Sequence, residues 1–512
     1  MCIRDRLAYH LEQESRSYVV LERSNVAGSF FQEFPRHRKL ISINKVYTGQ
    51  DDPEVDLRWD WNSILSKDPS CRLGRYTKEY FPNADHLVDH LNDYAEQFQL
   101  NIEYNKEVSN IQKIDGKFIV STSDGENCLG KVVVVATGIF KPYIPEIPGI
   151  ELCENYVNCS VDPEDYCNER VLIVGKGNSG FETADNLVGT ASLIHIASPN
   201  SVKMAWQTHF VGHLRAVNNN FLDTYQLKSQ NAVIDAEILN IEKIEDQFSV
   251  TYKYAHANGE IESILYDKVI ISTGFRFDTS LFAKSIQPEL MYNDRFPSQT
   301  HEWESVNVSD LYFAGAITQQ RDFKKTTSAF IHGFRYNVEC LFHILEKKYQ
   351  KVSLPSSIIE ASSENFTDKF IDRINKTSSL WQQFGFLCDM ISLDIETGKA
   401  VYFETVPKDY IMAQEEWNDK HLFLLSLEYG DINMNEDILA TNRIRRDEID
   451  VSNESKFLHP IVRHYHQGEM ISEFHMIEVL EARWTDELLH IRPLFDFIQK
   501  EMNQIKTGEL AN

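Results

Sequence analysis

What the sequence lacks narrows it first. No run of about 18 apolar residues occurs, and the most apolar stretch, residues 131–139, has the length of a buried strand, so no membrane-spanning helix is expected. Cations are scarce: 51 lysines and arginines stand against 77 acids, a net charge of -26, with no basic and aromatic cluster to offset it. Such a chain repels a phosphate backbone, which excludes nucleic acid as a partner. The eight cysteines include no C-x-x-C pair and no zinc-ligand spacing. They read as isolated thiols, and Cys153, Cys159 and Cys167, close together in one connecting segment, as inert ones. No apolar leader follows Met1, and the stretch up to Arg6 reads as foreign to what comes after it. Sequons at Asn158, Asn307, Asn365, Asn375 and Asn453 carry meaning only in a secretory compartment.

What is present is 512 residues, 42% of them hydrophobic, enough for about two to four cores of ordinary size. Residues 7–14 carry a helical pattern, and residues 18–21 an apolar strand ending in Glu22. Helix, strand, acid is the closing half of a dinucleotide-binding βαβ unit, whose carboxylate accepts bonds from an adenosine ribose. The opening half, a strand followed by G-x-G-x-x-G, is missing, so this unit is expected to be truncated. Glu22, Arg23 and the turn Ala27-Gly28-Ser29 are its candidates for adenosine and pyrophosphate. A helix is expected over 80–100 and strands over 101–104, 117–122 and 131–136, with Asp-Gly turns at Asp115 and Asp124. The last strand, ending in Ala136, exits through Thr137-Gly138, which with Val108 are candidates for lining the phosphates. A Pro-rich connector over 142–149 reads as a domain crossing.

A second unit is intact. Val171 to Val174 is a buried strand, Gly175-Lys176-Gly177-Asn178-Ser179-Gly180 is G-x-G-x-x-G in the required place, and residues 181–187 continue as a helix. Gly175 permits the tight turn, Gly177 the approach of a pyrophosphate and Gly180 close helix packing, while the helix N-terminus supplies N–H donors. The next strand ends at Ser198 with Lys203 beyond and no carboxylate, which tilts the expectation toward NADPH over NADH. Strand 268–272 leaves through Thr273-Gly274, repeating Thr137-Gly138. Strand 311–314 ends at Gly315, and a helix over 327–340, with Ser328 in its first turn, presents an N-terminus suited to an electron-rich flavin ring.

The expected architecture is α/β. Two interleaved Rossmann-type FAD- and NAD(P)-binding domains take residues 1–150 with 278–350, and residues 151–277. A C-terminal α+β domain follows over 351–512, with a helix over 358–374, a hairpin around Glu396-Thr397-Gly398, strands over 401–405 and 422–427, and a helical end over 473–502. His459, His464 and His466 are read as polar surface rather than a metal site.

With these pieces in order, the chain resembles the two-dinucleotide flavoproteins that include flavin-containing monooxygenases. Longer runs resemble the FAD-dependent oxidoreductase domain-containing protein 2 family: residues 34–45 from Phe34 to Lys45, Ser160 to Asp165, Leu222 to Ser229, Phe330 to Tyr336 and Phe457 to Pro460. The resemblance implies FAD as prosthetic group, an NAD(P)H site at Gly175 to Gly180, and a place for Asn44 against the flavin ring or nicotinamide, the one catalytic candidate. For animal members it implies the endoplasmic-reticulum lumen, with misfolded glycoproteins or degradation components as partners. The ending Gly508-Glu509-Leu510-Ala511-Asn512 is not the retention tail of those members, and a cytoplasmic microbial relative would end this way. A monooxygenase fingerprint has His-Ser-x-x-Tyr between the two units, where this chain has Asn158-Cys159-Ser160 and Tyr166. Three readings follow: an NAD(P)H-dependent flavin oxidoreductase serving a small-molecule or protein electron acceptor, with oxygenation as one variant; a thiol–disulfide reductase acting on a partner protein; and a flavin-stabilised interaction protein with little turnover. Without the first glycine loop, weak or absent flavin binding is expected.

Overall fold

The computed structural model describes residues 2–226, 231–431 and 443–507. Leu227-Lys228-Ser229 and the ending Gly508 to Asn512 lie outside the described residues.

The chain opens on α1 (Cys2–Gln13), so the stretch expected to be foreign is helical. Arg6 is buried: its Nε donates to the Arg335 carbonyl at 2.8 Å and its guanidinium meets Glu339 at 2.6 Å. After β1 (Val20–Leu21) comes α2 (Ala84–Gln97), then β2 (Ile102–Glu103), which pairs parallel with β1. The expected start at residue 80 moves to Ala84 because Asn83 stays extended and accepts a cap bond from Asp85 N at 2.8 Å. Leu87, Leu91 and Tyr94 give α2 one buried stripe. A meander of β3 (Val108–Ile114), β4 (Lys117–Thr122) and β5 (Asn127–Gly130) follows, turning at Asp115-Gly116, both at positive φ. β6 (Val133–Val135) ends this first part.

The inserted half contains β7 (Glu154–Asn155), β8 (Arg170–Val174), α3 (Asn178–Leu187), β9 (Leu193–Ser198), β10 (Ala232–Ile244), β11 (Gln247–Tyr254), β12 (Ile261–Tyr266) and β13 (Lys268–Ile271). Its seven-stranded sheet has the order β12-β11-β10-β9-β8-β13-β7, parallel from β10 to β7. Val171, Leu172 and Ile173 in β8 are fully buried, which explains an unbroken apolar run where a one-faced strand would alternate.

The first half resumes with β14 (Leu311–Phe313), parallel to β6, and α4 (Ile331–Leu345). Among the described residues the pairs β1–β2 and β6–β14 form separate sheets, with no strand bonded between them.

The C-terminal region comprises β15 (Ser357–Ile359), α5 (Ser363–Lys376), β16 (Leu387–Asp394), β17 (Lys399–Pro407), β18 (His421–Glu428), β19 (His459–His466), β20 (Glu469–His475) and α6 (Arg492–Thr507). Its six-stranded antiparallel sheet runs β15-β17-β16-β18-β19-β20. Two helix expectations are corrected. Residues 357–359 pair with β17, and α5 begins only after Ser362, whose hydroxyl caps Asn365 N at 3.2 Å. The segment expected to be helical from Glu473 ends β20 instead, and the last helix starts at Arg492. Pairing to a neighbour outweighs local preference in both places. The histidines expected at the surface are partly interior: His459 and His464 are buried, His464 bonded to His421 at 2.9 Å and to Glu501 at 2.8 Å. Among the described residues no three such side chains converge as a metal site.

One hydrophobic core joins Leu7, Leu91 and Tyr94 of the first half to Leu341 of α4 and to Phe366, Leu387, Phe423 and Leu494 of the C-terminal region. The inserted half has its own cores on the two faces of its sheet.

Candidate functional site

The glycine turn of the inserted half is built as its spacing demands. Gly175 has φ 121°, and a Cβ there would stand 2.2 Å from the Ser272 carbonyl oxygen. A Cβ on Gly180 would meet the Gly175 oxygen at 2.4 Å, so only glycine lets α3 pack this close. Gly177 is different. Its backbone is extended and a Cβ would have nothing within 4 Å, the open approach a pyrophosphate requires. Asn178 does not face that space. Its Oδ1 accepts from Arg215 N at 3.0 Å and its Nδ2 donates to the His213 carbonyl at 2.8 Å, fixing the 203–215 loop to the turn.

Beside the turn runs a cleft lined by Tyr156, Ser179, Ser272, Thr273 and Gly274. The Thr273 hydroxyl donates to the Tyr143 carbonyl, and Gly274, at φ 85°, accepts from Tyr143 N at 2.9 Å. Behind it, the Tyr156 hydroxyl donates to Glu182, whose carboxyl is pushed up to about 7 by burial. Arg36 of the first half crosses here, its backbone N–H donating to the Tyr156 oxygen at 3.2 Å and its guanidinium to the Cys159 carbonyl at 2.6 Å.

At the end of β9, Ser198 bonds the Asn200 carbonyl at 3.3 Å and Lys203 is exposed. The register places Asp235 opposite Ser198, so a carboxylate does stand beside this strand end, supplied by β10. It is tied to Lys176 of the glycine turn and to Ser201 at 2.5 Å, and Lys176 neutralises it.

In the first half Glu22 is buried at the end of β1, its Oε1 accepting from Ser24 N at 2.9 Å and the Ser29 hydroxyl at 3.1 Å. Gly28, at φ 76°, lets α2 approach, for a Cβ would lie 2.7 Å from Leu91 Cδ1. Arg23 is exposed and lies over the Phe140 ring at 5.4 Å. Val108 opens β3 just after the Tyr104-Asn105 turn, where Lys106 N donates to the Glu22 carbonyl at 2.8 Å. Ala136 and Thr137 follow β6, and Gly138, at φ 75°, has open space at its Cβ position. Asn44 is buried, and its amide nitrogen donates to the carbonyls of Thr77 at 3.1 Å and Glu79 at 3.3 Å. Its nitrogen is therefore occupied with the 77–79 turn, and contact with a ring would fall to its carbonyl oxygen. Gly315, at φ 80°, turns the chain after β14.

Ser328 is fully buried. Its hydroxyl oxygen accepts from Asn337 at 2.8 Å and from Gln383 of the C-terminal region at 2.9 Å. Gln383 also accepts from Thr327 N at 3.2 Å, which holds residues 326–328 out of the helix expected from Thr327. Sequence reasoning missed this residue because nothing local marks a glutamine that reaches into a distant loop.

The open backbone at Gly177 and the N-terminus of α3 would suit a dinucleotide pyrophosphate, and Glu22, Gly28, Gly315 and α4 are the residues that would hold FAD. No two described cysteines form a disulfide, and burial pushes the Cys153 thiol up to about 12 and the Cys159 thiol upward.

Comparison with known proteins agrees. Residues 6–315 match the family model described as pyridine nucleotide-disulphide oxidoreductase. FAD-dependent oxidoreductase domain-containing protein 2 of Mus musculus is 34% identical, over 96% of this chain and 82% of that protein. Two solved structures share the two-dinucleotide fold: the bacillithiol disulfide reductase Bdr (YpdA) of Staphylococcus aureus, with TM-score 0.51, 17% identity and coverage of 68% of this chain and 95% of that one, and a flavin-containing monooxygenase of Stenotrophomonas maltophilia, with TM-score 0.51, 16% identity and coverage of 68% and 96%. With its glycine turn intact and its likeness continuing through the C-terminal region, this chain belongs to the FAD-dependent oxidoreductase domain-containing protein 2 family, among the pyridine nucleotide-disulphide oxidoreductases.

Proposed function

We propose that this chain takes hydride from a nicotinamide dinucleotide, NADPH in the first instance, and delivers the electrons through FAD to a small-molecule or protein acceptor. The observation that carries the reading is the turn at Gly175 to Gly180: the two outer glycines are locked by backbone contacts while Gly177 alone is open. FAD, when bound, supplies the two-electron carrier between donor and acceptor.

The chain's own residues do the positioning. The first N–H groups of α3 and the backbone at Gly177 bind the pyrophosphate, and the positive end of the helix stabilises its charge. Lys203 offers a cation to a 2′-phosphate, and Asp235, neutralised by Lys176, does not bar one. Thr273-Gly274 and Ser179 line the small cleft beside the turn. The N-terminus of α4, which carries partial positive charge, would stabilise negative charge on a flavin ring held near it. A dithiol reaction within this chain finds no support, since the thiolate is the reactive form and burial opposes it at Cys153 and Cys159.

The test is NADPH binding by fluorescence titration, followed by NADPH oxidation with ferricyanide after incubation with excess FAD. Saturable binding and FAD-dependent oxidation are expected. A folded chain that binds neither NADPH nor NADH would refute the proposal, and binding without turnover would leave the interaction-protein reading in its place.

A further inference from the structure

We infer that the junction of the two halves is an anion site, in which Arg215 and His332 receive a carboxylate or phosphate group beside Trp61. The inference rests on the function proposed above only for the identity of what enters between the halves. The site itself is argued from side chains that lack partners.

Arg215 belongs to the loop that Asn178 holds against the glycine turn. Its guanidinium leaves the inserted half and lies over the ring of Trp61, 5.1 Å from the centroid. The His332 imidazole is stacked on that same tryptophan, centroids 4.3 Å apart, with Phe330 flanking it at 5.8 Å. His332 is wholly buried, and among the described residues neither ring nitrogen has a hydrogen-bond partner, nor has the buried Nη1 of Arg215.

The electrostatics point the same way. His332 is the second residue of α4, a 15-residue helix whose N-terminus carries partial positive charge. The charged groups acting on His332 are Arg335 and Arg215, and burial with these cations holds its pKa well below the ordinary range. Burial lowers the Arg215 pKa as well, and no described carboxylate pairs with it. On the approach, His213 feels Lys324 and Lys203, again cations. In a chain of net charge -26, buried donors at Arg215 and His332 that meet no acceptor among the described residues are a departure from its own composition, whereas Arg335 bonds Ser63 and Leu57 and His213 bonds Thr208. A planar anion matches it: the guanidinium fork takes two oxygens, and the imidazole N–H can donate to one. The group has two sources, a phosphate of the dinucleotide or a carboxylate of the acceptor.

The test uses the whole chain. Calorimetric titrations with sodium acetate and with inorganic phosphate, each against sodium chloride at matched ionic strength, are run beside an NADPH titration. Saturable binding of acetate or phosphate is expected, weakened about tenfold or more in Arg215→Gln and only partly kept in Arg215→Lys, which retains the charge without the fork. His332→Phe preserves the stack while removing both nitrogens and should also weaken binding; thermal melting verifies that each variant is folded. Competition with NADPH assigns the site to a dinucleotide phosphate, and simultaneous binding assigns it to an acceptor's carboxylate. Failure of both anions to bind the folded chain, or undiminished binding in Arg215→Gln, overturns the inference. NADPH binding without anion binding defeats this inference alone, whereas anion binding without NADPH binding defeats the proposed function alone.

Discussion

Replacing Gly177 with alanine should separate nucleotide binding from stability. The backbone there is extended, a conformation any residue adopts, and the new methyl would meet no atom within 4 Å. Two small effects oppose each other: alanine is a poorer N-cap than glycine, but it restricts the unfolded chain. The net change in stability should stay within about 0.5 kcal/mol, and the melting temperature within about 2 °C. The methyl nevertheless projects into the space through which a pyrophosphate reaches the backbone. Holding the phosphate off by that distance should cost about 1.5–3 kcal/mol, or about ten- to hundredfold in NADPH affinity. Gly175→Ala should behave oppositely, since φ 121° and a Cβ 2.2 Å from the Ser272 oxygen force a backbone shift. There the loss should be about 3 kcal/mol of stability, with binding falling as a consequence. Fluorescence titration with NADPH and thermal denaturation of the same preparations make the comparison. Full NADPH affinity in Gly177→Ala would refute the phosphate-approach argument.

Other consequences are equally open to measurement. Burial pushes the Glu182 carboxyl from 4.5 up to about 7, so the stability linked to its proton is full below pH 4.5 and is lost as pH rises from there through 7, a loss of about 3 kcal/mol. Glu182→Gln should flatten urea-denaturation stability over that window and raise it at pH 8; an unchanged slope would exclude this carboxyl as its source. Arg373 is buried and bonds Asp389 at 2.8 Å, Glu54 at 2.7 Å and Thr405 at 2.9 Å, so Arg373→Ala should destabilise by about 3–5 kcal/mol, leaving the buried Asp389 without its cation. Equal urea midpoints for the variant and the parent would contradict this. Gln383→Ala removes bonds to Ser328, Thr327 and Asn337 and should cost about 2–3 kcal/mol in the same assay.

The sequence was readable where chemistry is local. Gly175 to Gly180 has its strand before it and its helix after it, and each glycine's task follows from its neighbours in the chain. The Thr-Gly exits at Thr273 and Thr137 are legible for the same reason. Asp235 was not, because it reaches Ser198 only through the pairing of β10 with β9. Arg215, Trp61 and His332 come from three distant segments, and only packing brings them together. The helix expected from Ile358 failed because residues 357–359 read as helix locally but are an edge strand once β17 lies beside them. Arg6 shows the opposite limit: residues that look alien in a string are anchored when a partner such as Glu339 lies hundreds of positions away.

The separate cores have a mechanical consequence. The apolar clusters of the inserted half are drawn from residues 147–275, with Phe34 the visitor from outside. The seam to the remainder includes discrete contacts: Arg36 to Tyr156, His37 to Thr183 and Arg215 on Trp61. A rotation of this half about its connectors would exchange such contacts and withdraw Phe34 from its apolar cluster, leaving the rest of that cluster closed. The C-terminal sheet has no such freedom, since its interior is continuous with that of α1 and α4, and it must travel with them.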